Sequence, residues 1–375
     1  MLKIILNATL LEQTLTGIGQ YQWNVIEQLS LAKNVKNKVV LNKKFINSSK
    51  GKELINLVKK NNGDTEIIEA PSSKNMYRLY SLLGRYLEDG FIYHDLSFNS
   101  ALGKKAKAKV VTFHDAFFLD RKLWTEQKGI AALNAKYILP WSARNADHLL
   151  VQTHVVKELL VSGLALDSNR ITVIPMGNPR EGIKNIDRKT RKNNLIIQGK
   201  RIDKPFVLCV GAGHKRKRTV DLIQASAQVN TDHLLVITGK EVLNEPGVAA
   251  AVEGKKNIII LGYVSDQDLI QLYENAEALF FPSEEEGFGF PIIEALSYEL
   301  PVFASELPVF KEVGGEFVSY FQIGNINEIK VNIERALSKR PEAYYDTEKL
   351  EKWLKQFTWE NYGENLIDLY HRLSN

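Results

Sequence analysis

Short apolar runs, most of them β-branched or leucine-rich, alternate along the chain with longer stretches whose apolar residues recur at helical spacing. That is the pattern of parallel strands joined by crossover helices. In the first half the predicted strands are KIILN, KVVLN, FIYHD, KVVTFHD, HLLVQT and ITVIP; in the second they are FVLCVGAG, HLLVITG, NIIILG, ALFFPS and PVFAS. Several end in Gly, Ser, Thr or Asp, which suit strand-to-helix turns, and in open parallel sheets ligands sit at those carboxyl ends. Between the two series, the segment through REGIKNIDRKTRKNNLIIQGKRIDKP is polar, dense in Lys and Arg and poor in apolar periodicity. It reads as a linker. The predicted division is a first α/β domain over 1–180, a linker over 181–204 and a second α/β domain over 205–357. The closing stretch FTWENYGENLIDLYHRL opens on a capping Thr358 and carries apolar residues at helical spacing, which predicts a helix over 358–375, expected to cross back to the first domain. No short internal repeat of the solenoid type is present.

Composition fits this reading. A chain of 375 residues exceeds what one hydrophobic core usually organises, so two domains are expected. With 44% apolar and 25% charged residues the chain is an ordinary globular protein, neither disordered nor fibrous. A net charge of +5 favours an anionic ligand or membrane surface without demanding nucleic acid. The single cysteine, Cys209, excludes an internal disulfide, and its place in the run FVLCVG is that of a buried thiol without a redox role. The opening MLKIILNATLL is too short an apolar stretch for a secretion signal, and nowhere do about 18 apolar residues run uninterrupted. A cytoplasmic protein is expected.

Candidate chemistry concentrates in FFPSEEEGFGFPIIEAL, residues 280–296. An apolar strand ends at Pro282, a carboxylate-rich loop follows, and Gly287 and Gly289 precede Pro291, a residue favoured in the first turn of a helix. The free N–H groups of a helix start, approached through side-chain-free glycines, form a seat for phosphate. Glu286 then lies on the loop and Glu294 in the first turns of the helix. One acid can face the sugar end of a bound nucleotide sugar while the other faces its ribose. From the residues alone, Glu294 merely complementing the helix dipole and Glu284–Glu286 forming a solvated patch remain equally open.

The segment EGFGFPIIE resembles the Glu, seven residues, Glu signature of the retaining GT-B glycosyltransferases, glycosyltransferase group 1. The resemblance implies an α/β GT-B fold, with two Rossmann-like domains whose parallel sheets face an inter-domain cleft. It makes Glu286 a catalytic residue and places Gly287, Phe288, Gly289, Phe290 and Glu294 in donor binding. VLCVGAGHKRKRTVDLIQA is similar to the family's strand, glycine turn and Arg-Lys pair, which assigns Gly211 to the donor site and Arg216 and Lys217 to catalysis. Fixed cations would stabilise the charge gathered by a departing nucleotide diphosphate. The chain departs from the pattern in carrying GHKRKR where the family often has an acidic residue and proline, and Arg218 where Asn is common. HLLVITGK and IIILGYVSDQD resemble the strands beside the nucleotide base, with Gly239, Lys240, Tyr263 and Val264 at the matching turns. In the first half, TGIGQY resembles the family's glycine loop, putting Gly17 and Gly19 near the donor phosphates, and His114 in VVTFHDAFF matches a histidine near the reacting centre.

The implied activity is a retaining, metal-independent transfer of a hexosyl residue from a nucleotide-diphosphate sugar to a glycan or lipid-linked glycan, in cell-surface polysaccharide assembly. No cofactor is expected beyond that donor. The acids of Asp266–Asp268 offer a metal-binding reading, but Ser265 and Asp268 also fit the capping box of the next helix, and no metal site is assigned. A sugar-nucleotide epimerase and a catalytically silent GT-B subunit are the competing functions. Basic and aromatic residues cluster in the first half: nine lysines between Lys33 and Lys60, then YRLYSLLGRY at 77–86 and GKKAKAK at 103–109. They suit peripheral attachment to an anionic inner membrane face as well as a solvated lysine surface. No nucleic-acid recognition motif accompanies the charge.

Overall fold

The computed structural model of the protein describes residues 1–13, 15–61, 65–120, 130–180, 194–338 and 344–375. The chain forms two compact units, Met1–Pro179 with Gln356–Asn375, and Arg180–Lys355.

The first unit is built on seven strands: β1 (Leu2–Asn7), β2 (Val35–Asn42), β3 (Glu66–Ala70), β4 (Ile92–Asp95), β5 (Ala108–Phe113), β6 (His148–Val151) and β7 (Ile171–Val173). They lie in the order β3-β2-β1-β4-β5-β6-β7, all neighbours parallel. The central strands β4, β5 and β6 are buried at every residue, which is why their sequences are largely apolar on both faces. Strand β3, EIIEA, escapes such a reading because it is an edge strand flanked by glutamates, with only Ala70 buried.

Gln356–Asn375 belong to this unit. Thr358 caps the helix Trp359–Ser374, accepting from the Asn361 N–H at 3.2 Å, and Trp359, Tyr362, Leu366, Leu369 and Tyr370 are its buried positions. The approach is close. A Cβ added at Gly177 would lie 2.4 Å from the Trp359 nitrogen, and the Asn178 N–H donates to the Phe357 carbonyl at 2.9 Å. The Tyr362 hydroxyl meets that of Tyr21 at 2.7 Å, Tyr21 meets Thr112 Oγ1 at 2.8 Å, and His94 joins Thr112 and Tyr370. This buried polar chain ties the helix to β4, β5 and the helix Gly17–Leu31.

In the second unit a hairpin comes first, β8 (Leu195–Ile197) with β9 (Lys200–Ile202), turning through Gln198 and Gly199 at φ 50° and 75°. Positive φ at both turn residues is what a tight two-residue hairpin requires. The end of the expected linker is therefore structured; its residues 181–193 lie outside the described residues. Six parallel strands follow: β10 (Phe206–Val210), β11 (Leu234–Thr238), β12 (Ile258–Gly262), β13 (Ala278–Phe281), β14 (Val302–Ser305) and β15 (Val318–Phe321). Their order is β12-β11-β10-β13-β14-β15. The strand order reverses between β10 and β13, so this sheet has its switch point there, as the first sheet has between β1 and β4. Loops leaving the carboxyl ends of the flanking strands form the ligand crevice of such sheets. Cys209 is buried in β10, and burial pushes its thiol up to about 12, so it stays protonated and unreactive.

Candidate active site

The two loops with the strongest sequence signals leave the two strands at the second unit's switch point. Gly211–Arg218 follows β10, and Pro282–Gly289 follows β13. Two bonds join them: the Glu284 N–H donates to the Arg216 carbonyl at 2.8 Å, and the Arg216 side chain donates through Nη1 to the Glu285 carbonyl at 2.7 Å. Arg216 and Lys217 then converge on a single carboxylate oxygen, Glu286 Oε1, at 2.8 Å from Arg216 Nη1. Arg218 turns away. Its backbone is left-handed, φ 49°, and its guanidinium pairs with Asp221 at 2.6 Å and Glu284 at 2.8 Å.

The electrostatics follow from burial. Desolvation raises the pKa of Glu286, but Lys217 and then Arg216 lower it by more, and the carboxyl ends below its ordinary value. Burial is likewise the largest influence on Lys217 and pulls its ammonium below the ordinary lysine value against the attraction of Glu286. The site is thus a charged cluster with little water to screen it, in which two cations share one carboxylate.

Glycines shape its floor. Gly211 and Gly213 have φ 79° and 116°. A Cβ at Gly239, φ 154°, would lie 2.1 Å from the Ala212 carbonyl oxygen, because the two turns cross in contact. Gly289, φ 108°, precedes the helix Phe290–Ser297, which carries Pro291 in its first turn as expected. Phe288 is buried and meets Phe290 edge to face at 5.5 Å.

Glu294 has other partners. Its carboxylate pairs with Arg180 and accepts from the Tyr273 hydroxyl at 2.6 Å, while Arg180 Nη2 also reaches Asp266 at 2.7 Å. Asp266 is thereby engaged in an ion pair, and Ser265 caps its helix by accepting from the Asp268 N–H at 3.1 Å. The helix-cap reading of Ser265 and Asp268 is what the geometry shows. Tyr263 is half exposed, with its carbonyl accepting from Gln198 of the hairpin at 2.6 Å, and Val264 is buried. Sequence reasoning passed over Arg180, Tyr273 and Gln198. Each is remote in sequence from the residue it holds, and no local pattern marks it.

In the first unit, Gly17 and Gly19 lie in the first turn of the helix Gly17–Leu31 rather than in the loop before it. His114 follows β5, buried, and its Nε2–H donates to the Leu96 carbonyl at 2.9 Å, which leaves Nδ1 as the acceptor nitrogen. Burial drives its pKa down to about 4, so it is neutral near pH 7. The Tyr21 ring packs edge-on against it at 4.7 Å.

Two seven- and six-stranded parallel Rossmann-like sheets define the GT-B fold, and solved structures agree. A glycosyltransferase from Rickettsia africae ESF-5 superimposes with a TM-score of 0.69 at 16% identity, covering 99% of this chain and 98% of that one. A sucrose-phosphate synthase from Thermosynechococcus elongatus gives 0.73 at 18% identity, covering 100% and 99%. In sequence, residues 190–355 match the family of Glycosyl transferases group 1. The O-antigen chain mannosyltransferase B of Escherichia coli is 26% identical over 99% of this chain and 100% of its own length. The O-antigen chain mannosyltransferase RfbU of Salmonella typhimurium is 28% identical over 55% of this chain and 54% of its own. By these matches the chain is a nucleotide-sugar glycosyltransferase of the GT-B fold, similar to the group 1 glycosyltransferases over residues 190–355.

Proposed function

We propose that the protein is a retaining, metal-independent mannosyltransferase that moves mannose from a nucleotide-diphosphate sugar to a glycan or lipid-linked glycan in cell-surface polysaccharide assembly. The observation that carries this is the convergence of Arg216 and Lys217 on Glu286 at the switch point of the second sheet. Two preorganised cations supply the positive charge that a diphosphate needs as the glycosidic bond breaks. The acceptor hydroxyl then attacks from the side of the departing phosphate, which takes its proton. Glu286 orients the transferred sugar, Glu294 holds the ribose, and His114 serves near the reacting centre. Mannose is chosen because the curated relatives named above are mannosyltransferases. An epimerase or a silent subunit is disfavoured by the intact charged cluster. The test is a thermal-shift panel of GDP-mannose, UDP-glucose and UDP-N-acetylglucosamine, in which a donor at a hundred times its dissociation constant adds about 2.7 kcal/mol. NMR of the product anomer then reports retention. No stabilisation by any donor, or an inverted anomer, contradicts the reading.

A second element of the proposal is attachment to the inner face of an anionic membrane. Its support is that the separate clusters at 77–86 and 103–109 meet, the Leu102 N–H donating to the Leu82 carbonyl at 2.7 Å. Met76, Leu79, Leu83 and Leu102 are exposed there, beside exposed Arg78, Arg85, Lys104, Lys105 and Lys107. The earlier lysines contribute less, since Lys38, Lys43 and Lys50 pair with glutamates. No helix among the described residues is long and apolar enough to cross a bilayer. Sedimentation with phosphatidylglycerol vesicles at low salt, lost at high salt, is expected. Equal recovery with neutral vesicles would overturn it.

A further inference from the structure

The basic loop carries four consecutive cations, Lys215–Arg218, in a backbone with left-handed residues at Gly211, Gly213 and Arg218. Ion pairs with Glu286 and Glu284, and the Glu284 N–H bond to the Arg216 carbonyl, hold the middle of this loop, while its two ends are held separately. Glu245 supplies the contacts at those ends. It lies beyond β11, between a short turn over Val242–Asn244 and the helical turn Val248–Val252, and is 3% exposed. Its Oε2 accepts from the Gly213 N–H at 3.2 Å and from Thr219 Oγ1 at 2.7 Å, and its Oε1 accepts from the Thr219 N–H at 2.9 Å.

Those donors stand at the two ends of the loop. Gly213 precedes the cations, and Thr219 is the first residue of the helix that follows them, where Arg218 offers no capping side chain. One carboxylate therefore fixes the loop's span and satisfies an orphan N–H of the helix start. The segment bearing Glu245 is itself pressed against the loop: a Cβ at Gly213 would lie 2.1 Å from the Lys240 carbonyl oxygen. A buried carboxylate with three donors is a stiff anchor, because each bond is charge-assisted and water cannot replace it.

We infer that Glu245 is the positioning residue of the diphosphate site, acting through Arg216 and Lys217 by setting the distance between Gly213 and Thr219. This rests on the donor-site reading above. Glu245→Gln keeps one acceptor oxygen but turns an NH2 group toward N–H donors, so the clamp opens at one end. Thr219→Val removes only the hydroxyl bond, and Thr219→Ser keeps it.

The probe is inorganic pyrophosphate, which carries the leaving group's charge and is independent of base and sugar; its affinity is read by calorimetry on the full chain. Arg216→Ala is expected to weaken binding about 10- to 100-fold, Glu245→Gln about 10-fold and Thr219→Val about threefold, with Thr219→Ser near wild type. In the Arg216→Ala background the Glu245→Gln loss shrinks to about twofold, because residues acting through one another are not additive. A merely structural role would lower the melting point without that coupling. If Glu245→Gln does not fold, Thr219→Val with its serine rescue carries the same cycle. Full additivity, or wild-type affinity in Glu245→Gln and Thr219→Val while Arg216→Ala is impaired, overturns the inference alone. Failure of the wild-type protein to bind pyrophosphate, or wild-type affinity in Arg216→Ala, overturns the donor-site reading and the inference with it.

Discussion

Replacing Lys217 by Met keeps an unbranched apolar stem of similar length and deletes only the ammonium. The Lys217 and Glu286 side chains are 13% and 11% exposed, so the pair is shielded from water, while Arg216 at 29% remains as the second partner of the carboxylate. Breaking one side of a buried pair costs about 3–5 kcal/mol, and the surviving Arg216 places Lys217→Met near the low end, about 3 kcal/mol. Adding Glu286→Gln removes the stranded charge, so the double variant should return to within about 1 kcal/mol of wild type. Turnover behaves differently: both variants should lose about 100- to 1000-fold in kcat, since the cation is needed only when the diphosphate departs. Urea titrations give the stabilities and nucleoside diphosphate release gives the rates. The pH dependence has a definite sign. The folded pKa of Glu286 lies below its ordinary 4.5, so the cluster's contribution is complete above that pH and is lost as pH falls through the folded value. A Lys217→Met protein as stable as wild type, a double variant no more stable than the single, or full turnover in either would refute the reasoning.

Glu294→Ala removes a contact proposed to act equally in ground and transition states, so the donor KM should rise with kcat little changed; a fall in kcat alone would count against ribose binding. His94 is held neutral by burial, its pKa lowered to about 3. The unfolded chain binds this proton first, so stability falls as pH drops below 6.5; wild type should lose about 1 kcal/mol more than His94→Gln between pH 7 and 5.5, and equal losses would contradict it. Gly177→Ala forces a methyl against the Trp359 backbone and ring and should destabilise the first unit by about 1–3 kcal/mol, seen as faster amide exchange across Trp359–Ser374. Unchanged exchange would mean the helix shifts at no cost.

The central strands were legible because a strand buried on both faces is apolar nearly throughout, as β10 and β13 are. Edge strands β3 and β15 were not, since one side meets solvent and EIIEA or VSYF lacks an unbroken run. The hairpin Leu195–Ile202 hid in a charged segment for the same reason, with Ile196 pointing into solvent. The local phosphate-seat chemistry could be read from Gly287, Gly289 and Pro291, because glycine and proline fix backbone conformation where they stand. The convergence of Arg216 and Lys217 on Glu286 spans 69 residues between Lys217 and Glu286, and only the sheet topology brings the two loops together. Glu245 and Arg180 are equally remote, and neither carries a local motif.

The central claim is that Arg216, Lys217 and Glu286 form the site where the nucleotide diphosphate leaves. Steady-state release of GDP from GDP-mannose, at saturating mannose-terminated acceptor, tests it directly in Arg216→Ala and Glu286→Ala. The account predicts about 100-fold or greater loss of kcat in Arg216→Ala and a fall in both kcat and donor affinity in Glu286→Ala, milder in Glu286→Gln, which keeps an acceptor oxygen. Near-normal turnover in both alanine variants would place the active site elsewhere.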